Sequence, residues 1–193
     1  VASYELCADE YAQSTSGEPP EDQSRLFPAF VQQVGRGGRV LEIGSGPGWD
    51  ADRLEATGIE VERTDVAQAF IDFQGKRGKR IARLDVIDDD IAGTYDGILC
   101  LYVLQHVARP LIDTVLEKMS AALKSGGVLL VALRQGNGEL REIGDTSGAT
   151  YHITLWPQRA FIERLGAAGL SSEQFYTFSG RDGEWLTVLA RKD

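Results

Sequence analysis

"VLEIGSGPG", residues 40–48, decides the fold. A compact strand runs into a turn with glycine at every second position, and such a turn lets a ligand approach the backbone closely. The helix behind the turn offers free N–H groups. Dinucleotides, phosphates and sulfonium nucleosides all use turns of this kind, and the neighbouring residues separate them. The dinucleotide fingerprint puts glycines at the first, third and sixth positions. Gly44 and Gly46 fit, but Trp49 stands sixth, where close helix–strand packing needs a small residue, and the third glycine is Gly48. No Lys-Ser/Thr pair follows, which excludes an ordinary P-loop. Glu42 precedes Gly44 by two residues. A carboxylate there repels a pyrophosphate and attracts a ligand carrying a sulfonium or an ammonium. The bland alternative is a Glu42 that faces solvent or pairs with Arg39.

Outward from this stretch, apolar spacing alternates between helical and extended periods. Residues 4–13 read as a short amphipathic helix, followed by the polar loop "STSGEPPEDQ". A second helix carries Leu26, Phe27, Phe30, Val31 and Val34 on one face. After the glycine turn come a helix over 49–57, a strand "IEVERTD", a short helix with Phe70 and Ile71, and a third strand "IARLDV". "YDGILCLYVL" is a fourth strand, apolar enough to be buried on both faces. Residues 110–124 give the clearest helix, with Leu111, Ile112, Val115, Leu116, Met119, Ala122 and Leu123 on one stripe. "GGVLLVALR" is a fifth strand, and 135–154 is rich in glycine and polar residues. A helix opening near Pro157 then buries Phe161, Ile162 and Leu165. Strands near 172–178 and 185–191 flank the hairpin turn "SGRDGE". The pattern predicts an α/β fold, a Rossmann-like doubly wound, mostly parallel seven-stranded sheet with helices on both faces and a C-terminal antiparallel hairpin. One domain spans 1–193. Residues 1–34 form a helical cap or lid, and 135–154 a possible substrate loop.

Composition sets the outer limits. The 193 residues are enough for a core without staples. Cys7 and Cys100 are the only cysteines, and two cysteines with two histidines, all far apart, give no metal-ligand spacing, so no metal is expected. Cys100 lies in an apolar run and reads as an inert buried thiol. No apolar run is long enough to span a bilayer and no signal peptide is visible, so no membrane partner is expected and the default location is cytoplasmic. The chain opens on Val1, which leaves a trimmed leader possible. A net charge of −9 argues against nucleic acid as partner. The basic run "GKRGKR" (75–80) reads as a solvated turn at the edge opposite the pocket. The run "DDD" (88–90) reads as a solvated loop on the active side.

In an open parallel sheet, ligands sit outside the carboxyl ends of the strands where strand order reverses. Glu42 has two counterparts at that edge. Asp65 ends the second strand, where an acid takes both hydroxyls of a ribose. Asp85 ends the third, within reach of an adenine amino group. Together they describe a pocket for a nucleoside with a positive charge and no phosphate.

These residues resemble the class I S-adenosylmethionine-dependent methyltransferases. "VLEIGSGPG" is similar to their first motif, "VERTD" to the acidic second and "LDV" to the third, over about residues 38–191. "YDGILCLYVLQHV" is similar to the fourth strand and "LKSGGVLLVALR" to the fifth. The resemblance implies S-adenosyl-L-methionine as cofactor and S-adenosyl-L-homocysteine as product. It implies that Glu42, Gly44, Ser45, Gly46 and Gly48 line the methionine side, and that Asp65 holds the ribose with Val66 beside the adenine. Asp85 and Val86 would face the adenine edge, Leu101 would touch the cofactor, and Tyr11 would cover it from the N-terminal helix. One departure is "ERTDV", where many relatives carry a glycine before the acid.

Methyl transfer of this type is an in-line displacement, and a hydroxyl or amine acceptor also needs a base for its proton. His106, after the fourth strand in "LQHV", is the candidate base. Tyr102 and Gln105 are placed to orient a substrate. Tyr151, His152 and Trp156 either form an aromatic wall of the substrate cavity or anchor the 135–154 loop. The expected acceptor is an O or N centre of a small molecule. A peptide or protein acceptor, an NAD(P)-dependent oxidoreductase and a catalytically silent nucleoside-binding module are the alternatives.

Overall fold

The computed structural model describes residues 2–17, 19–143, 150–180 and 182–193. In chain order its helices are α1 (Ala2–Ser14), α2 (Glu21–Ser24), α3 (Phe27–Val34), α4 (Trp49–Ala56), α5 (Gln68–Lys76), α6 (Ile112–Ala122) and α7 (Gln158–Ala167). The strands are β1 (Arg39–Ile43), β2 (Glu60–Asp65), β3 (Ile81–Arg83), β4 (Tyr95–Leu101), β5 (Leu123–Arg134), β6 (Glu139–Ile143), β7 (Thr150–Thr154), β8 (Leu170–Gly180) and β9 (Gly183–Lys192). Seven of them form one sheet in the order β3-β2-β1-β4-β5-β9-β8. The pairings from β3 through β5 are parallel, and β9 joins β5 and β8 antiparallel. The chain winds outward from β1 through β3, then returns to β4 on the other side of β1. That reversal opens a crevice at the carboxyl ends of β1 and β4, where the glycine turn emerges.

Alternation along the central strands divides the core in two. Ile98, Cys100, Leu129, Val131 and Leu133 face α6 and α7, meeting Leu116, Met119, Phe161 and Leu165. Val40, Leu99, Val128 and Leu130 face α3 and α4, meeting Phe30 and Leu54. Each such aliphatic side chain contributes roughly 1.5–3 kcal/mol by leaving water. Cys100 is a free thiol in the first of these layers, and burial pushes its pKa well up.

Four local differences from the sequence pattern have physical causes. The stripe read over 110–124 is a helix only over 112–122, because Pro110 sits in a separate 3-10 turn, Arg109–Leu111, and Leu123 already adopts extended backbone. Leu111 is 41% exposed as a result. The third strand stops at Arg83, so Asp85 lies beyond it in a turn. Residues 135–154 are not simply loop, since Glu139–Ile143 pairs with Thr150–Thr154 as an antiparallel hairpin, with the residues between them outside the described ones. Finally, α1 bends at Cys7, whose φ of −133° and ψ of 17° are not helical. No helix among the described residues is long and apolar enough to cross a membrane.

Candidate active site

The glycine turn is fixed from behind by charge. Arg63 lies in β2, two residues before Asp65, and its side chain is only 1% exposed. Its guanidinium donates to the Gly48 carbonyl, to Gln74 Oε1 at 3.1 Å, to Asp52 at 2.6 Å and to Glu55 at 3.0 Å. Gln74 in turn donates to Ser45 Oγ and to the Gly46 carbonyl at 2.8 Å. Arg77 donates to the Pro47 carbonyl and ion-pairs with Asp52, and Lys79 pairs with Asp52 and Glu55. Burial alone would raise the Asp52 carboxyl, but hydrogen bonds from Lys79, Arg77 and Arg63 outweigh it and hold it well below the usual range. Two of the four cations of the run "GKRGKR" are therefore committed to this network rather than standing in a free solvated turn. Likewise "DDD" is structured, since Asp89 accepts from the Asp85 N–H and Lys118 donates to the Asp89 carbonyl.

Gly44 has φ 71°, and a Cβ there would lie 2.2 Å from a Val103 methyl, so no other residue fits. Gly46, at φ 53°, has open space where its Cβ would be. Asp65, buried at the end of β2, accepts the Gly46 N–H on one oxygen and the Ala67 N–H on the other, each at 2.8 Å. Burial raises its pKa, opposed by these two N–H groups.

Glu42 is 4% exposed, on the sheet face shared with α3 and α4, and among the described residues it forms no ion pair; Arg39 pairs with Glu62 instead. Burial pushes its carboxyl up to about 8, against a hydrogen bond from Ser45 and with Asp50 adding to the rise. Its Oε2 is buried without a hydrogen-bond partner. Such an atom costs free energy until something meets it. Asp50, in the first turn of α4, is a third acid at this front, and its pKa is raised by burial and restrained by Arg53.

Over this front lies α1. Tyr4 packs on Phe70, Tyr11, Tyr151 and His106 with ring centroids 5.4–5.8 Å apart. Burial, then Asp50 and Asp65, push the Tyr11 phenol up to about 12. Glu5 anchors the helix, accepting the Gln68 and Ala69 N–H groups at 2.8 and 3.0 Å. It thereby caps α5, whose own cap position holds Ala67 with no side chain able to do so.

His106 ends the 3-10 turn Leu104–His106. Its Nδ1 lies 3.0 Å from the His152 carbonyl, an acceptor only, so Nδ1 carries the proton. Nε2 then accepts from the Tyr4 hydroxyl at 3.2 Å. Burial lowers the pKa of the ring, which keeps it neutral near pH 7.

The sequence-derived candidates separate into groups. Glu42, Gly44, Ser45, Gly46, Gly48, Asp65 and Tyr11 converge on the front of the turn. Leu101 ends β4 beside it, and Tyr102, the next residue, holds a left-handed φ of 63°, a strained state for a bulky residue. Tyr151 joins the aromatic cluster, whereas the His152 ring turns outward toward Glu139. Trp156 is buried in the α6–α7 core against Phe161 with Arg109 over its ring, not in a cavity wall. Gln105 is buried with Oε1 unpartnered. Val66 is half-buried beside Asp65, and Val86 is buried against the core. The Asp85 carboxylate accepts the Ile87 N–H at 3.0 Å.

The pattern did not single out Tyr4, Glu5, Asp50, Arg53 or Arg63. "ERTDV" carried the one available signal, since a charged residue on a buried strand must find partners. Among the described residues, no group of His, Cys, Asp and Glu is placed to hold a metal.

The methyltransferase domain family matches residues 18–174. The ubiquinone biosynthesis O-methyltransferase of Xylella fastidiosa (strain 9a5c) is 28% identical over 142 residues, covering 64% of this chain and 57% of that protein. This chain thus spans little more than half the length of that relative. A Methanosarcina mazei S-adenosylmethionine-dependent methyltransferase superposes with a TM-score of 0.75 at 14% identity, covering 86% of this chain and 97% of its own. The Burkholderia thailandensis 1,6-didemethyltoxoflavin-N1-methyltransferase, solved with 1,6-didemethyltoxoflavin and S-adenosylhomocysteine, has a TM-score of 0.66 at 20% identity. That match covers 97% of this chain and 87% of the Burkholderia one. The chain belongs to the methyltransferase domain family and has the fold of the class I S-adenosylmethionine-dependent methyltransferases. Membership decides against the dinucleotide-dependent oxidoreductase.

Proposed function

We propose that this chain transfers a methyl group from S-adenosyl-L-methionine to an oxygen or nitrogen of a small-molecule acceptor, releasing S-adenosyl-L-homocysteine. The observation that carries the reading is Glu42, buried with an unpartnered oxygen beside a glycine turn that Asp65 holds from the ribose side. A cationic ligand suits that oxygen; a pyrophosphate does not. Glu42, Gly44, Ser45, Gly46 and Gly48 would line the methionine side. Asp65 and Val66 would take the ribose and adenine edge, with Asp85 and Val86 at the far end, Leu101 beneath and Tyr11 above. When bound, the cofactor supplies an electrophilic methyl on a positively charged sulfur.

The chain's own residues do the rest. Positioning an acceptor in line supplies up to roughly 7–11 kcal/mol of barrier reduction. His106 is the base. Its tautomer leaves Nε2 free to accept, and a phenolic hydroxyl already donates to that atom. The Tyr4 hydroxyl thus stands where an acceptor O–H would stand, and α1 must shift to admit one. Tyr151 borders that space, and Tyr102 and Gln105 would orient the acceptor. A small acceptor rather than a protein suits a site roofed by α1 and flanked by the β6–β7 hairpin.

Calorimetric titration with S-adenosylhomocysteine and, separately, NADH tests the cofactor. Micromolar binding of NADH without the thioether nucleoside would sink the reading. Asp65→Ala should abolish nucleoside binding, and unchanged affinity would reject the ribose assignment. Release of S-adenosylhomocysteine with a panel of phenols and amines, compared with peptides, tests the acceptor class.

A further inference from the structure

Four aromatic rings among the described residues pack around the Tyr4 ring. Tyr11, Phe70 and His106 lie 5.8 Å from it between centroids and Tyr151 lies at 5.4 Å, all but Phe70 edge-on. The Tyr4 hydroxyl donates to His106 Nε2 at 3.2 Å. We propose that Tyr4 is a placeholder, and that the acceptor which displaces it is a phenol, with its ring in the place of the Tyr4 ring and its hydroxyl on His106 Nε2. The inference rests on the methyl-transfer reading above and narrows its oxygen-or-nitrogen acceptor to a hydroxyl on an aromatic ring.

Three observations carry it. First, edge-to-face contact is what the ring quadrupoles favour, so this place selects a flat aromatic ring over a saturated one of similar size. Secondly, His106 cannot offer a donor there. Its Nδ1 proton is committed to the His152 carbonyl, so a group that meets Nε2 must bring its own proton. A phenol brings one, whereas a ketone, an ether or a carboxylate does not.

Thirdly, the segment that carries Tyr4 is separable from the rest of the roof. The helical backbone of α1 breaks at Cys7, between Tyr4 and Tyr11. Beyond the break, Ala8 and Ala12 are buried and Tyr11 packs on Phe70 at 5.7 Å. Before it, Leu6 is 75% exposed, and Glu5 is held by two hydrogen bonds at the surface. A swing about Cys7 therefore withdraws Tyr4 and leaves Tyr11, Phe70, Tyr151 and His106 to receive another ring. Until that swing, acceptor affinity is reduced in proportion to the fraction of chains in which the place is vacant.

The probe is p-cresol, which is the tyrosine side chain cut free at Cβ, titrated by calorimetry into the full chain with S-adenosylhomocysteine present. Tyr4→Ala should bind it about tenfold more tightly than wild-type protein does. The variant should also bind it about tenfold more tightly than toluene, which lacks the hydroxyl, and adding His106→Ala should erase that difference. Equal p-cresol affinity in wild type and Tyr4→Ala overturns the placeholder. Equal affinity for p-cresol and toluene, or a difference that survives His106→Ala, overturns the seat on His106. Unaltered protein gives a check whether or not the variants fold. It should bind p-cresol about tenfold more tightly than 4-methylcyclohexanol or 4-methylcyclohexylamine, and equal or reversed affinities overturn the phenol. Failure of the cofactor reading shows separately, as wild-type protein that binds no S-adenosylhomocysteine, and it takes the acceptor assignment down with it.

Discussion

The two sides of the glycine turn are built on opposite terms. Behind it, Arg63, Arg77 and Lys79 meet Asp52, Glu55, Gln74 and two backbone carbonyls, so charge and hydrogen bonding are satisfied within the protein. In front, Glu42, Asp50 and Asp65 gather, Arg53 pairs with Asp50, and among the described residues Glu42 Oε2 has no hydrogen-bond partner. The rear holds the backbone in one shape; the front leaves groups whose partners must come from outside. Buried polar groups in proteins are generally satisfied, so the imbalance supports the proposed site in front without reference to any relative.

The contrast is open to attack at several points. The largest effect is expected in front, at His106. His106→Ala should slow turnover by about 10²–10⁴-fold while sparing calorimetric affinity for S-adenosylhomocysteine; normal turnover would remove it as base. Behind the turn, Arg63→Met should lower stability by about 2 kcal/mol in denaturant unfolding, because it removes the buried donor that ties Gln74 and the Gly48 carbonyl to Asp52 and Glu55. A loss under half that size would show that the network is not what holds the turn.

Glu42 offers a pH signature. Its carboxyl is raised to about 8, so the folded chain keeps a proton that the unfolded chain gives up above about 4.5. Stability from this group is full at acid pH and declines as pH rises toward 8. The unfolding temperature of ligand-free protein should therefore fall between pH 5 and 8, and Glu42→Gln should remove that fall. An identical pH profile in the variant would mean the carboxyl is ionised throughout. The smallest effect concerns the roof. Glu5→Gln weakens the cap on α5 by about 1 kcal/mol, so limited proteolysis within α1 should quicken about fivefold. No change would show that aromatic packing alone keeps α1 in place.

Much of the fold was legible because β1, β4 and β5 are largely buried and carry short apolar runs, and because α6 keeps one stripe. β6 and β7 escaped notice since nearly every residue of that hairpin is polar or exposed, which erases the two-residue period. The end of β3 was misjudged because Leu84 to Val86 continue an extended-looking pattern into a turn closed by the Asp89 side chain. At the site, position along the strand was enough for Glu42 and Asp65, whose places follow from topology. It was not enough for Trp156, where one apolar ring suits a core as well as a cavity, nor for the Arg63 network. There the partners come from four elements, and no local spacing joins Arg63 to Gln74 or Lys79.

The Glu5 carboxylate carries a last consequence, one that belongs to time rather than shape. It shields the Gln68 and Ala69 amides, at the start of the helix that follows Asp65 directly. Those two amides lose their acceptor whenever α1 lifts, and the proposed ribose end of the site loosens at the same moment. Their deuterium uptake is therefore a clock for opening of the roof: fast in the free chain, slower once a nucleoside holds α1 down.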